Sequence, residues 1–147
     1  MAGQKSFSAA VDEWVMKSRA RMLAVFKLSA EYVIEDVIAR TPVDTGFLRA
    51  SLTVSLDGPL PIRPDAKPAG EWSGGYQPQP YSLQIAGADL GDTIYASFIA
   101  SYAAHVEYGA QGRAGAGMVR LAAQAWPQHV ARAVSEAKAR VASNARG

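Results

Sequence analysis

The chain contains no cysteine, and that absence removes a disulfide framework, a thiolate nucleophile and any cysteine-built zinc or iron–sulfur site. It lacks an apolar run near the roughly 20 residues that a membrane span needs, and its opening, Met1-Ala-Gly-Gln-Lys-Ser-Phe-Ser8, lacks the apolar stretch of a secretory signal. A soluble chain made in the cytoplasm, with no membrane partner, is the expectation. Strong net charge is missing too: 15 Lys and Arg against 13 Asp and Glu leave +2, too little to draw the whole molecule to nucleic acid or acidic membranes. Histidine is scarce, His105 and His129 being the two, and with Glu107 the one acid close to either the spacing builds no metal site. No phosphate-loop or dinucleotide fingerprint occurs, since Gly117 is followed by Met118-Val119 rather than Lys-Ser/Thr; no cofactor is expected.

What is present fits one domain spanning residues 1–147: 15.6 kDa, 49% apolar and 19% charged. Nothing interrupts a helix between residues 8 and 39, where Val11, Val15, Met22, Phe26, Val33 and Val37 recur along one stripe. The opposite face carries charges, with Glu13/Lys17 and Asp36/Arg40 in the favourable acid-before-base order. Such a helix is roughly 48 Å long. That exceeds what a compact domain of this size needs, so one end should project or pack on a neighbour. Thr41-Pro42 stops it, because the residue before proline is pushed out of the α region.

Asp44-Thr45-Gly46 then reads as a turn, and residues 48–56 alternate in the period-two manner of a strand. Residues 57–80 hold six of the eight prolines and four glycines, giving a loop or arm of about 24 residues that also displays Trp72 and Tyr76. Residues 81–85 and 93–101 suggest an outer and an inner strand joined by a hairpin connection over 87–92. A glycine-rich loop covers 109–117. Residues 118–143 are helical in pattern, with Pro127 forcing either a kink or two shorter helices. The fold class is therefore α+β: a long first helix and a final helix packed on a small antiparallel sheet of about three to four strands.

Two constellations carry alternative functions. Asp44-Thr45-Gly46 matches the tripeptide that holds the catalytic aspartate of retroviral-type aspartic proteases, whose two carboxylates share a proton across a dimer axis. Here a long helix and a proline precede it, and the simpler reading is a helix-to-strand corner with Gly46 at positive φ. From residue 110 onward six basic residues face Glu136 alone, so Arg132, Lys138 and Arg140 could line DNA phosphates or meet an acidic partner. The opposing reading is a solvated helix face with basic residues near a helix C-terminus.

Thr41-Pro-Val-Asp-Thr-Gly-Phe-Leu-Arg-Ala-Ser-Leu52, followed about fifty residues later by Tyr102-Ala-Ala-His-Val-Glu-Tyr-Gly109, resembles the paired signature segments of the phage head–tail joining, or tail-completion, family of lambdoid siphophage minor tail components. The order of elements from about Ser8 to Ser143 also resembles that family. Met118-Val-Arg-Leu-Ala122 departs from the family's proline-containing closing segment, and the loop at 57–80 is longer than its short hairpin.

The resemblance implies a virion structural protein without catalysis, located in the neck or tail of a long-tailed phage. It implies a homo-oligomeric ring, hexameric or dodecameric, that meets the tail terminator, the tail tube and the head-closure or adaptor proteins, with non-specific DNA in its channel. It further implies that Pro42, Asp44, Thr45, Gly46 and Leu48 shape the helix–strand corner. Arg49, Tyr102, Val106, Glu107, Tyr108 and Gly109 would lie near that corner or at subunit contacts, with Arg49 and Glu107 as an ion pair. Trp72 and Tyr76 would be contacts of the arm.

Overall fold

The computed structural model describes residues 6–44, 46–67 and 80–146. Thr45, Trp72 and Tyr76, and with them much of the proline-rich arm, lie outside the described residues. The first element, α1 (Phe7–Arg40), is one uninterrupted helix of 34 residues, about 51 Å long. The Ser6 hydroxyl caps it, accepting from the Ala9 amide at 3.1 Å. At its far end Thr41 leaves the helical region as Pro42 requires, and its buried hydroxyl donates to the Val37 carbonyl at 2.6 Å.

Gly46 adopts a left-handed conformation (φ +87°) and turns the chain into a single helical turn, α2 (Phe47–Ala50), before β1 (Leu52–Ser55). The strand expected over 48–56 is thus helical at its start. Leu48, Ser51 and Leu52 are all buried, and residues three apart share a face on a helical turn but not on a strand. The first part of the proline-rich segment is anchored rather than free: the Arg63 amide donates to the Ile99 carbonyl at 3.0 Å, and the Ser101 amide to the Ala66 carbonyl at 2.8 Å.

Residues 82–86 form a short helix, α3 (Ser82–Ala86), where a strand was expected. A strand would have set Leu83 and Ile85 on the same face, whereas Ile85 is buried and Leu83 is 82% exposed. The Lys27 ammonium on α1 donates to the Ala86 carbonyl at 2.6 Å and so holds the end of α3. The connection over 87–92 consequently joins a helix to a strand and makes no hairpin. β2 (Tyr95–Phe98) pairs antiparallel with β1, Leu52 opposite Phe98 and Ser55 opposite Tyr95.

α4 (Ala103–Tyr108) follows, then a tight hairpin of β3 (Gly109–Ala110) and β4 (Arg113–Ala114) inside the segment expected to be a glycine-rich loop. Its turn residues Gln111 and Gly112 both have positive φ, the arrangement that matches the twist of two-residue hairpins. Pro127 divides the final helical region into α5 (Met118–Gln124) and α6 (Trp126–Arg146), with the proline in the first turn of α6.

The result is mixed helix and sheet, with two two-stranded antiparallel sheets among the described residues in place of one larger sheet. Ile34 and Val37 of α1, Leu48, Leu52, Ile85, Phe98, Ala103, Met118 and Ala122 close into one core. All of it lies beside the C-terminal half of α1. α6 runs antiparallel along α1, fixed by the His129 imidazole on the Asp36 carboxylate (2.9 Å) and by the Arg132 guanidinium 3.8 Å above the Tyr32 ring. The apolar stripe expected on α1 is accordingly divided: Val37 is buried, but Val11, Val15 and Met22 are exposed on the half that leaves the core. Among the described residues no helix is long and apolar enough to cross a membrane.

Candidate functional site

The segments that end at Leu52 and begin at Tyr102, distant in sequence, meet at the foot of α1. The Phe47 and Tyr102 rings lie 6.4 Å apart in a tilted arrangement. Pro42 from the first segment and Tyr102, His105 and Val106 from the second line an open cleft of about 610 Å³, whose other wall is the β3–β4 hairpin with Gln111 and Arg113. Leu48 points into the core, Gly46 sets the corner, and Asp44 is exposed beside it. Arg49 reaches back across the corner, its Nε donating to the Thr41 carbonyl at 3.1 Å. That bond ties α2 to the end of α1.

Arg49 therefore does not pair with Glu107 within the chain. Glu107, 5% exposed, turns the other way and caps α5. Its Oε2 accepts from the Val119 amide at 2.9 Å, and its Oε1 from the Arg120 amide at 3.0 Å and from Arg120 Nε at 3.0 Å. α5 needs this, because its N-cap position is Gly117, left-handed at φ +62° and with no side chain to accept from the first amides. A carboxylate also suits the positive end of the helix dipole.

The backbone of Glu107 takes part as well. Its carbonyl accepts from Arg120 Nη2 at 2.9 Å and from the Gly117 amide at 3.1 Å, while the Val106 carbonyl accepts from the Ala116 amide at 2.7 Å. Arg120 completes the arrangement 4.9 Å above the exposed Tyr108 ring. Burial by itself would raise the Glu107 pKa, but the Val119 and Arg120 amides and the Arg120 guanidinium outweigh it and hold the carboxyl below its ordinary value.

Two glycines permit this closeness. Gly109 has φ +92°, and a Cβ there would lie 2.5 Å from the Arg113 carbonyl oxygen. A Cβ on Gly115 would strike the Glu107 carbonyl oxygen. The chain from Gly109 to Gly117 is therefore a strap laid directly on the end of α4, which delivers the α5 N-terminus to Glu107.

Of the basic residues on α6, Arg132 is stacked on Tyr32 and Arg140 pairs with Glu136 at 3.1 Å; Lys138 is exposed. His105 lines the cleft and His129 is bound to Asp36, so the two histidines lie in different places. Among the described residues no three His, Asp or Glu side chains gather as a metal site would require. Asp36 is a second acid held below its ordinary value. Burial raises it, but hydrogen bonds and charge from His129 and Arg40 prevail.

Arg120 and Gly115 enter the sequence reading only as one of six basic residues and as part of the glycine-rich loop, without the roles they hold here. Their signal was a helix starting after a glycine without any side-chain cap, which demands an acceptor from elsewhere in the chain. Comparison with models of known families, with curated proteins and with solved structures finds no match.

Proposed function

We propose that the chain is a structural, non-catalytic subunit of the neck of a long-tailed bacteriophage, completing the tail where its tube meets the head. The observation that carries this reading is the meeting of the two signature segments: Pro42 lines one cleft with Tyr102, His105 and Val106, the Phe47 ring stands against that of Tyr102, and Glu107 ties the second segment to α5. Residues that resemble a family's paired motifs thus act together as one structural unit. Supporting it, half of α1 stands clear of the core with large apolar side chains exposed, as suits a subunit whose surface is completed by assembly.

In this reading the subunit builds a hexameric or dodecameric ring that contacts the tail terminator, the tail tube and the head-closure or adaptor proteins. Head-to-tail repetition of one interface closes such a ring. With Arg132 and Arg140 held within the chain, any contact with DNA in the channel falls mainly to Lys138 and is non-specific.

The deciding experiment removes the gene from the phage that carries it. Filled heads and separate tails should accumulate, joined particles should return when the chain is supplied, and cryo-electron microscopy should locate it at the neck. Joined, infectious particles without the chain would overturn the reading.

A further inference from the structure

The N-terminal half of α1 is a helix without a cover. Phe7 is 85% exposed, Trp14 69%, Met22 61%, Val11 41% and Val15 39%. At 100° per residue Phe7, Val11, Trp14, Val15 and Met22 fall on one side of the helix, while Met16 falls on the other. α6 cannot cover the whole stripe. Aligning His129 with Asp36 and Arg132 with Tyr32 carries the end of α6, antiparallel, only to about the level of Ser18. The exposed side chains present on the order of 600 Å² of mostly apolar surface. That is at the upper limit of what a lone soluble protein displays and close to one side of a standard interface of about 800 Å² per partner.

We propose that the occupant of this stripe is the same stripe of a second copy, the two arms lying antiparallel about a two-fold axis near Trp14 and Val15. Three observations select that occupant. The stripe is symmetric in sequence: Phe7 and Met22, Val11 and Ser18, Trp14 and Val15 are equidistant from one centre, so each apolar residue meets stripe residues when the partner runs the other way. The charges are complementary in the antiparallel sense. On one flank of the stripe Asp12 precedes Arg19, so reversal brings the acid of one copy near the base of the other, whereas a parallel pair sets like against like.

Asp12 and Arg19 lie on the same flank of the stripe, as an antiparallel pair requires, and neither has an ion-pair partner among the described residues. Third, the same register brings Phe7 of one copy level with Met22 of the other, where Val141 on α6 is also 45% exposed. Those are the apolar groups left open where the two helices of the arm end.

A two-fold contact satisfies itself and cannot propagate around a ring. It is therefore a different contact from the head-to-tail interface of the proposed ring, and it is tested on the free subunit. Since the chain has no cysteine, single cysteines test it directly. Val15→Cys places a thiol near the axis, and Met16→Cys places one on the opposite face at the same height. Under mild oxidation of the otherwise intact chain, Val15→Cys should form a disulfide-linked dimer at least about tenfold faster than Met16→Cys, because pairing raises the local thiol concentration.

Light scattering on the unmodified chain should give twice the 15.6 kDa chain mass. Asp12→Arg should shift it towards monomer, and adding Arg19→Asp should restore the dimer. A monomer at all concentrations overturns the proposal, as does a dimer in which the two cysteine variants oxidise at equal rates. Preferential linkage of Trp14→Cys to Ala110→Cys would overturn it too, because the arm would then sit in a neighbour's cleft. Phage assembly does not enter any of these outcomes, so their failure leaves the neck reading to its own test.

Discussion

Glu107→Ala isolates the bond set on which the lower half of the molecule depends. The carboxylate is almost fully buried and accepts three hydrogen bonds, two of them from the first free amides of α5. A neutral side-chain cap contributes about 1 kcal/mol, and bonds to a charged acceptor about 1.5–3 kcal/mol. The Arg120 side chain is 53% exposed, so its ion pair is screened and adds little. The two amide bonds thus dominate, and the truncation should cost about 3 kcal/mol, a large share of the roughly 5–15 kcal/mol that folds a typical domain.

For a chain of this length each kcal/mol moves the midpoint by about 2–4 °C, so thermal melts followed by circular dichroism should fall by about 6–12 °C. Hydrogen exchange should show the Val119 and Arg120 amides losing protection. Glu107→Gln should lose less, about 2 kcal/mol, because one amide keeps an oxygen while the other faces an NH₂. Arg120→Ala should cost only about 0.5–1 kcal/mol. The cap argument is refuted if Glu107→Ala melts within about 2 °C of the parent, or if Arg120→Ala costs as much, which would assign the energy to the ion pair.

Gly115→Ala should destabilise by at least about 2 kcal/mol, since the new methyl meets backbone atoms of Glu107 and Tyr108 that cannot yield without breaking the strap; urea unfolding checks it. Gly112→Asn, at a left-handed position with open space around it, should change the same midpoint by less than about 1 kcal/mol. Acid should destabilise in a defined window. Asp36 and Glu107 are held below their ordinary values of 3.8 and 4.5, so their contribution is complete above those values and is lost as pH falls through the depressed ones. The melting temperature should be flat from about pH 7 to 5 and fall below about pH 4, less steeply in Glu107→Gln. On α6, Lys138→Ala with Arg140→Ala should leave stability unchanged within about 0.5 kcal/mol, and Arg132→Ala, which strips Tyr32, should cost about 1 kcal/mol. If duplex DNA binds through α6, Lys138 alone predicts a slope of log affinity on log salt of about −0.9; a slope of about −2.7 would mean that Arg132 leaves Tyr32 and Arg140 leaves Glu136.

The stop of α1 at Thr41-Pro42 and the break at Pro127 were legible because local chemistry enforces them: a proline lacks an N–H and constrains its predecessor wherever it occurs. Short segments were not. Over Ser82-Leu83-Gln84-Ile85-Ala86, alternation and helical spacing predict the same letters, and the choice fell to the tertiary packing, which takes Ile85 into the core and leaves Leu83 exposed. Phe47–Ala50 followed the same rule, with Leu48 and Ser51, three apart, both inside.

Glu107 was marked by its segment, yet its partner was misassigned, because Arg49 and Arg120 carry the same charge and composition cannot rank them. Backbone need ranks them. Arg49 serves a carbonyl at the end of α1, and Glu107 is claimed by a helix that begins on a glycine and has no cap of its own. The same accounting sets the corner apart from the arm. Around the cleft the capping amides, the Glu107 carboxylate and the crossing carbonyls find partners within the chain, so the corner is complete in a monomer. Along the outer half of α1 the Ser6 cap and the Glu13–Lys17 pair maintain a helix whose apolar side remains uncovered. A helix maintained by local bonds but left open along one apolar side is the surface on which the proposed antiparallel pairing of two copies rests, and the order of Asp12 and Arg19 along it is what sets the direction in that proposal.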